Sequence, residues 1–180
     1  MKDKQIFSIV LRYLILLIAA FGNLYVFYLI FTPLTLYCVY FLSKLFSSHV
    51  FLSQDFIIVG EKSFRIIEAC VAGSAYYLLL ILNLSTPDIK LSSRIKSILF
   101  SFIIFFILNV IRILILVFIF FISPETFTAV HKIFWYALST IFLIAIWFFQ
   151  VKIFKIKEIP IYSDVLYLKN KSILKKKIKI

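Results

Sequence analysis

Acidic residues and glycine are scarce in this chain: Asp and Glu together number 8 of 180 residues, and Gly only 3. Charged residues of both signs make up 16%, against about 25% in an ordinary soluble domain. Two cysteines, Cys38 and Cys70, are too few for a disulfide framework. The sequence holds no HExxH run, glycine-rich phosphate loop or Cys/His cluster, so neither a metal nor a cofactor is expected. Inverted repeats with paired broken helices, which point to a transporter, are missing as well.

What fills the chain is apolar. Hydrophobic residues reach 63%, aromatics 19%, and the mean hydropathy is +1.07. A water-soluble fold of this size could not hide so much apolar surface, whereas lipid solvates the outside of each helix. Residues 6–31 carry only Arg12, and residues 98–123 only Arg112. About 20 apolar residues suffice to cross the hydrocarbon core. The expected fold is an all-α polytopic membrane protein: one transmembrane domain over 1–150, then a basic tail over 151–180. About five spans are expected, at 6–30, 34–46, 66–85, 97–122 and 131–149. The first is too long for a signal-peptide core, and no small-x-small site follows it, so it is expected to stay as an anchor.

Thr32-Pro33 separates the first two stretches, since proline removes a backbone donor and biases the preceding residue away from helix. The second is short, and reads either as a crossing or as an interfacial helix; its lack of a polar face favours the crossing, which puts the N-terminus outside. Residues 55–67 break the helical pattern. Two β-branched and aromatic runs flank Gly60-Glu61-Lys62-Ser63, which predicts a small β-hairpin just before Cys70. Ser123-Pro124-Glu125 is a helix start, with a capping serine, proline in the first turn and an acid at the positive end of the dipole.

Lys and Arg stay on the cytoplasmic side of short loops. The loop before residue 97 holds Lys90, Arg94 and Lys96 against Asp88, and the tail holds nine Lys against Glu158 and Asp164, net +7 of the chain's +12. Residues 123–130 carry Glu125 and Lys-free polar positions, and residues 48–69 net −1. The basic segments therefore read as inside and the hairpin as outside. Sidedness and anionic lipid account for the positive charge without a nucleic-acid partner.

Charges within a span are costly and ask for a reason. Arg112 lies about ten residues, or roughly 15 Å, from the outer end of its span. Asn109 precedes it by three positions on the same helical face. Cys70 and His131 stand at the outer ends of the neighbouring spans, so a thiol, an imidazole and a guanidinium share one side. Such a set suits nucleophilic chemistry: the imidazole takes the thiol proton, nearby positive charge favours the thiolate, and the guanidinium stabilises an oxyanion. Each residue also has an ordinary reading. A cysteine is commonly a small buried hydrophobe, which is the reading for Cys38, and a histidine at a helix end, such as His131, is commonly interfacial, a reading that His49, in a loop, keeps. Glu68 has three: a partner for Arg65, a partner for Arg112, or a solvated acid.

In order, Glu68-Ala69-Cys70-Val71-Ala72-Gly73, then Asn109-Val110-Ile111-Arg112, then His131 resemble the exosortase/archaeosortase family, in particular its small archaeosortase-like forms such as pacearchaeosortase. The likeness covers roughly residues 34–150 and includes the hairpin before the cysteine. Val71 departs from it, standing where many members have Ser or Thr. The resemblance implies catalytic Cys70, Arg112 and His131, supported by Asn109, Glu68 and Gly73. It also implies a multi-pass cell-membrane cysteine transpeptidase, a thiol protease acting in protein sorting, with its site on the extracytoplasmic side. The implied partners are proteins with a C-terminal signal (short motif, apolar helix, basic tail), and membrane lipid as acceptor. The alternative is a non-enzymatic transporter subunit or assembly factor in which Arg112 is a structural charge.

The charge asymmetry makes a direct prediction. Single cysteines at 123–130 and 55–67 should react with an impermeant thiol reagent added outside, and those at 84–97 and in the tail should not. External labelling of a tail position would reverse the orientation.

Overall fold

The computed structural model describes residues 2–47 and 49–177. It is mostly helical, 77%, with a small sheet at one end. Three helical stretches, at Gln5–Ser43, Leu91–Ile122 and Pro124–Phe154, are long and apolar enough to cross a membrane, and Glu68–Leu84 is a shorter apolar one. The expected count of about five spans is therefore corrected to three long apolar segments and a short one.

The correction comes chiefly from helix α1, Lys2–Ser43, which runs through Pro33. A proline removes a single ladder bond and bends a helix without having to end it. The break lies earlier: Phe21 is extended, and Gly22, Asn23 and Leu24 take left-handed backbone angles. Gly and Asn visit that region at the least cost, so Gly22-Asn23 yields where Thr32-Pro33 does not. The chain keeps its direction across the break. Arg12 reaches the Leu84 carbonyl, the Leu16 carbonyl accepts from the Tyr77 hydroxyl, and Tyr28 lies against Gly73. Farther on, Leu36 and Val39 pack with Val71, Val110 and Ile113. Residues 34–46 hence continue the first rod and do not turn back as a separate helix, and α1 starts at the same end of the bundle as the basic segments.

The expected hairpin is a three-stranded antiparallel sheet, β1 Val50–Ser53, β2 Phe56–Val59 and β3 Lys62–Arg65, in that order. Register pairs Val50 with Val59 and Val59 with Lys62. The turn between β1 and β2 holds Gln54, a non-glycine residue at φ 53°, so it lacks the glycine signal that marks the second turn. Ile57 is the fully buried residue of the sheet, facing the core of Leu36, Val39, Val71, Val110 and Ile113. Lys62 ties the sheet to the bundle by donating to the Phe121 carbonyl at 3.2 Å.

Two short helices follow, α2 Glu68–Val71 and α3 Gly73–Leu84, then α4 Leu91–Ile122. Helix α5, Pro124–Ile133, passes through a π-helical turn, Phe134–Leu138, into α6, Ser139–Phe154. The expected fifth span, 131–149, is thus part of one longer rod. A second core joins Phe27, Tyr76, Leu79, Phe105 and Ile146 around Tyr76, whose ring stacks on Phe31 at 3.7 Å between centroids.

Polar residues concentrate inside at the basic end. Asn83 (α3), Ser97 (α4) and Gln150 (α6) are fully buried and hydrogen-bonded to one another. Arg94 donates to the carbonyl of Asn83, which α3 leaves without a helical partner as it ends, and to that of Thr86 just beyond the helix. Within the tail, α7 Tyr162–Lys177 brings Asp164 to Arg12 at 2.8 Å, with both side chains buried. The tail over 151–180 is thus, in its described part, helical and held against the helical body. Meanwhile Phe7, Leu17, Phe21, Phe118 and Phe148 stand exposed on the outside.

Breaking a buried ion pair leaves one charge without its partner, at a cost of about 3–5 kcal/mol. Asp164→Ala should therefore release α7, seen as a lower melting temperature and faster proteolysis between α6 and α7. The double variant Arg12→Met/Asp164→Leu should recover part of the loss. An unchanged Asp164→Ala protein would show that the pair contributes nothing to docking the tail.

Candidate active site

The site is built around a deliberate interruption of a helix. Helix α2 carries Cys70 and stops at Ala72, which adopts φ 58° and ψ 51°. Ala72 still donates to the Glu68 carbonyl at 3.1 Å, closing the last turn. Past that point the ladder cannot continue in register, and the carbonyls of Cys70 and Val71 need partners from elsewhere. Helix α4 provides them. Asn109 Nδ2 donates to the Cys70 carbonyl at 2.9 Å and to that of Val71 at 3.4 Å. Arg112 Nη2 donates to the Cys70 carbonyl at 3.0 Å. A spacing of three puts both donors on one face of α4, so a single helix face grips the backbone of the cysteine.

The other terminal nitrogen of Arg112, Nη1, donates to Ser139 Oγ at 2.7 Å. That hydroxyl in turn donates to the Phe134 carbonyl at 2.9 Å, five residues back, across the π-helical turn. Such turns are rare and often accompany functional sites. Here the wider turn links Arg112 to the rod that carries His131. Two buried polar atoms of this arrangement, Asn109 Oδ1 and Arg112 Nε, have no hydrogen-bond partner among the described residues.

Cys70, Arg112 and His131 line one cavity of about 280 Å³ at the sheet end. Its walls are Ile113, Leu116, Val117 and Phe120 from α4, Phe127 from α5, and Ser63, Phe64, Arg65 and Ile66 from β3 and the segment after it. The imidazole is held between the rings of Phe127 and Trp135, with centroids 5.3 and 5.9 Å away. Cys70 is a free thiol of intermediate exposure. The three residues named from sequence thus share a cavity with mostly apolar walls.

The supporting residues divide. Asn109 is in the constellation. Gly73 opens α3 and admits the Tyr28 ring: a Cβ there would lie 2.8 Å from two ring carbons. Glu68 is exposed in the first turn of α2 and makes no ion pair among the described residues, while Arg65 pairs with Asp55 at 3.2 Å. Glu68 thus pairs with neither Arg65 nor Arg112. Cys38 is packed against the core under the sheet, apart from the cavity. Sequence reasoning missed Ser139, whose signal was a hydroxyl eight residues after His131 in an apolar run. It also missed β3 as a cavity wall.

No protein-family model, curated protein or solved structure matches this chain.

An alanine in the left-handed region costs roughly 1–2 kcal/mol that glycine does not. Ala72→Gly should leave the fold intact and raise thermal stability by up to about 1 kcal/mol, the gain being reduced by glycine's freedom in the unfolded chain. Ala72→Val should destabilise and expose Cys70 to thiol reagents. Unfolding in detergent and labelling kinetics read both; a neutral Ala72→Val would mean that the break is not held by this residue.

Proposed function

We propose that the chain is a membrane-embedded cysteine transpeptidase that cleaves C-terminal sorting signals and transfers the new carboxyl end to an acceptor, lipid being the favoured class. The observation that carries this reading is the shared cavity of Cys70, Arg112 and His131. Apolar rods with exposed Phe and Leu outside and buried Asn, Gln and Arg inside support a multi-pass membrane setting. Placing the basic end in the cytoplasm by the charge rule puts the cavity on the outer side, and the unbroken direction of α1 then brings Lys2 and Lys4 to the cytoplasmic side as well.

In this mechanism His131 takes the Cys70 proton and the thiolate attacks the scissile carbonyl carbon. The tetrahedral oxyanion is held by N–H donors and collapses as the C–N bond breaks, with His131 returning the proton to the leaving amine. The thioester then yields its acyl group to an amine or hydroxyl of the acceptor, and the thiol re-forms. Arg112 contributes positive charge beside the thiol and fixes the Cys70 backbone, with Nε as its unused donor. A substrate helix anchored by its own basic tail would present its outer juxtamembrane segment at the depth of the cavity.

A second reading has its own observation. Both terminal nitrogens of Arg112 are occupied by bonds within the protein, which is what a structural charge in a non-enzymatic transporter subunit or assembly factor would also do. Cleavage of a protein bearing the motif, apolar helix and basic tail, compared at matched membrane abundance, separates the two. Cys70→Ala and Cys70→Ser should abolish processing, and Cys38→Ala should be close to neutral. Losing an oxyanion donor costs about 10²–10³ in rate, and lysine cannot reproduce the planar fork, so Arg112→Lys should fail almost as completely as Arg112→Ala. His131→Ala should be impaired as well. Full processing by Cys70→Ala ends the transpeptidase reading, and near-normal turnover by Arg112→Lys makes that residue a structural charge.

A further inference from the structure

Strand β3 ends the sheet, pairing with β2 on one side and with no other strand among the described residues. The register tells which backbone groups are left over. Gly60 N donates to the His49 carbonyl at 3.0 Å, so residue 60 turns its backbone groups toward β1. Antiparallel strands alternate the side to which successive residues direct N–H and C=O. Residues 60, 58 and 56 therefore face β1, and Val59 and Ile57 face β3, where they meet Lys62 and Phe64. Ser63 and Arg65 direct their N–H and C=O groups to the open edge. Both are exposed, and both line the cavity that contains Cys70, Arg112 and His131.

The other walls of that cavity, Ile113, Leu116, Val117, Phe120 and Phe127, offer no hydrogen bonds from their side chains. A peptide entering it must be out of helix at the scissile bond, because a helical carbonyl is already bonded four residues on. Its amides would then lose water against apolar walls, and burying them unpaired is costly. Besides the Arg112 and His131 side chains, the strip of the cavity able to pair with successive groups of an extended backbone is the β3 edge. We propose that the substrate segment preceding its apolar helix adds to β3 as a fourth, antiparallel or parallel strand, bonding to Ser63 and Arg65 and so laying its scissile carbonyl beside Cys70. This inference rests on the transpeptidase reading and names how that site holds its substrate: through main-chain atoms first, in the manner of strand addition. The occupant is an extended peptide and not a second copy, because the open edge spans four residues and faces a cavity also walled by Phe120 and Phe127.

The test uses the full chain carrying Cys38→Ala, so that alkylation reports Cys70. Iodoacetamide measures bare thiol reactivity. A tetra-alanyl chloromethyl ketone measures reactivity aided by backbone pairing, against the single-residue alanyl ketone. The long probe should react faster than the short one. Ser63→Pro deletes one edge N–H at a position that an edge strand tolerates; it should slow the long probe roughly three- to tenfold while leaving iodoacetamide unchanged. Ser63→Ala should behave as the parent. On the parent protein, N-methylation of successive amides of the long probe should matter at every second position, a readout that needs no variant to fold. Equal rates for long and short probes, or losses on N-methylation without alternation, overturn strand addition. Loss of a self-associated species in Ser63→Pro, with long-probe rates unchanged, overturns it in favour of a second copy on the edge. A Cys70 inert to iodoacetamide as well would instead remove the transpeptidase reading beneath it.

Discussion

Where the helix bearing Cys70 stops at Ala72, two carbonyls leave the ladder inside an apolar bundle, and they must be paired there. Asn109 and Arg112 pair them, and much of the surrounding order depends on that bond set. It fixes α2 against α4, holds the cysteine backbone at the cavity, and gives a buried guanidinium enough partners to be tolerated. Through Ser139 it extends to the rod of α5 and α6. A charge that would be prohibitive alone in a span becomes the fastener of three segments. The same donors serve folding and, in the proposed mechanism, chemistry.

The two ends of the bundle solve their polar accounting differently. At the basic end, Asn83, Ser97 and Gln150 bond to one another, Arg94 closes the end of α3, and Arg12 meets Asp164. This is a joint of buried polar groups from α1, α3, α4, α6 and α7, in which Gln150 Oε1 lacks a partner among the described residues. At the sheet end the satisfaction is incomplete as well. Asn109 Oδ1 and Arg112 Nε lack partners among the described residues, and the β3 edge faces into the cavity with its ladder unfinished.

Reading Arg112 purely as an oxyanion donor is too narrow for this geometry. Its Nη groups already hold Cys70 and Ser139, so its first effect on the thiol is positional and electrostatic. Positioning through the backbone carbonyl of the nucleophile couples the side chain of α4 to the orientation of α2, and any loosening of that bond would move Cys70 relative to His131.

The residues of the sequence determined by themselves what depends on composition and local period: apolar rods, an all-polar budget confined to few positions, a strand-forming interruption at 55–67, and a helix start at Ser123. They also picked out Cys70, Asn109, Arg112 and His131, because a charged or nucleophilic group in an apolar run is conspicuous without any fold. Tertiary structure decided what depends on partners distant in the chain. Pro33 was the stronger local breaker, yet the rod runs through it and yields at Gly22-Asn23, since a lost ladder bond is cheaper to absorb than the local signal suggests. Strand β1 is short and turns at Gln54, so only pairing with β2 reveals it. Ser139 reaches Arg112 because a π-helical turn alters the face that an ideal helix would present. The tail carries a net positive charge in sequence, but its single acid in the first turn of α7 is what the fold uses, because only docking brings Arg12 to it.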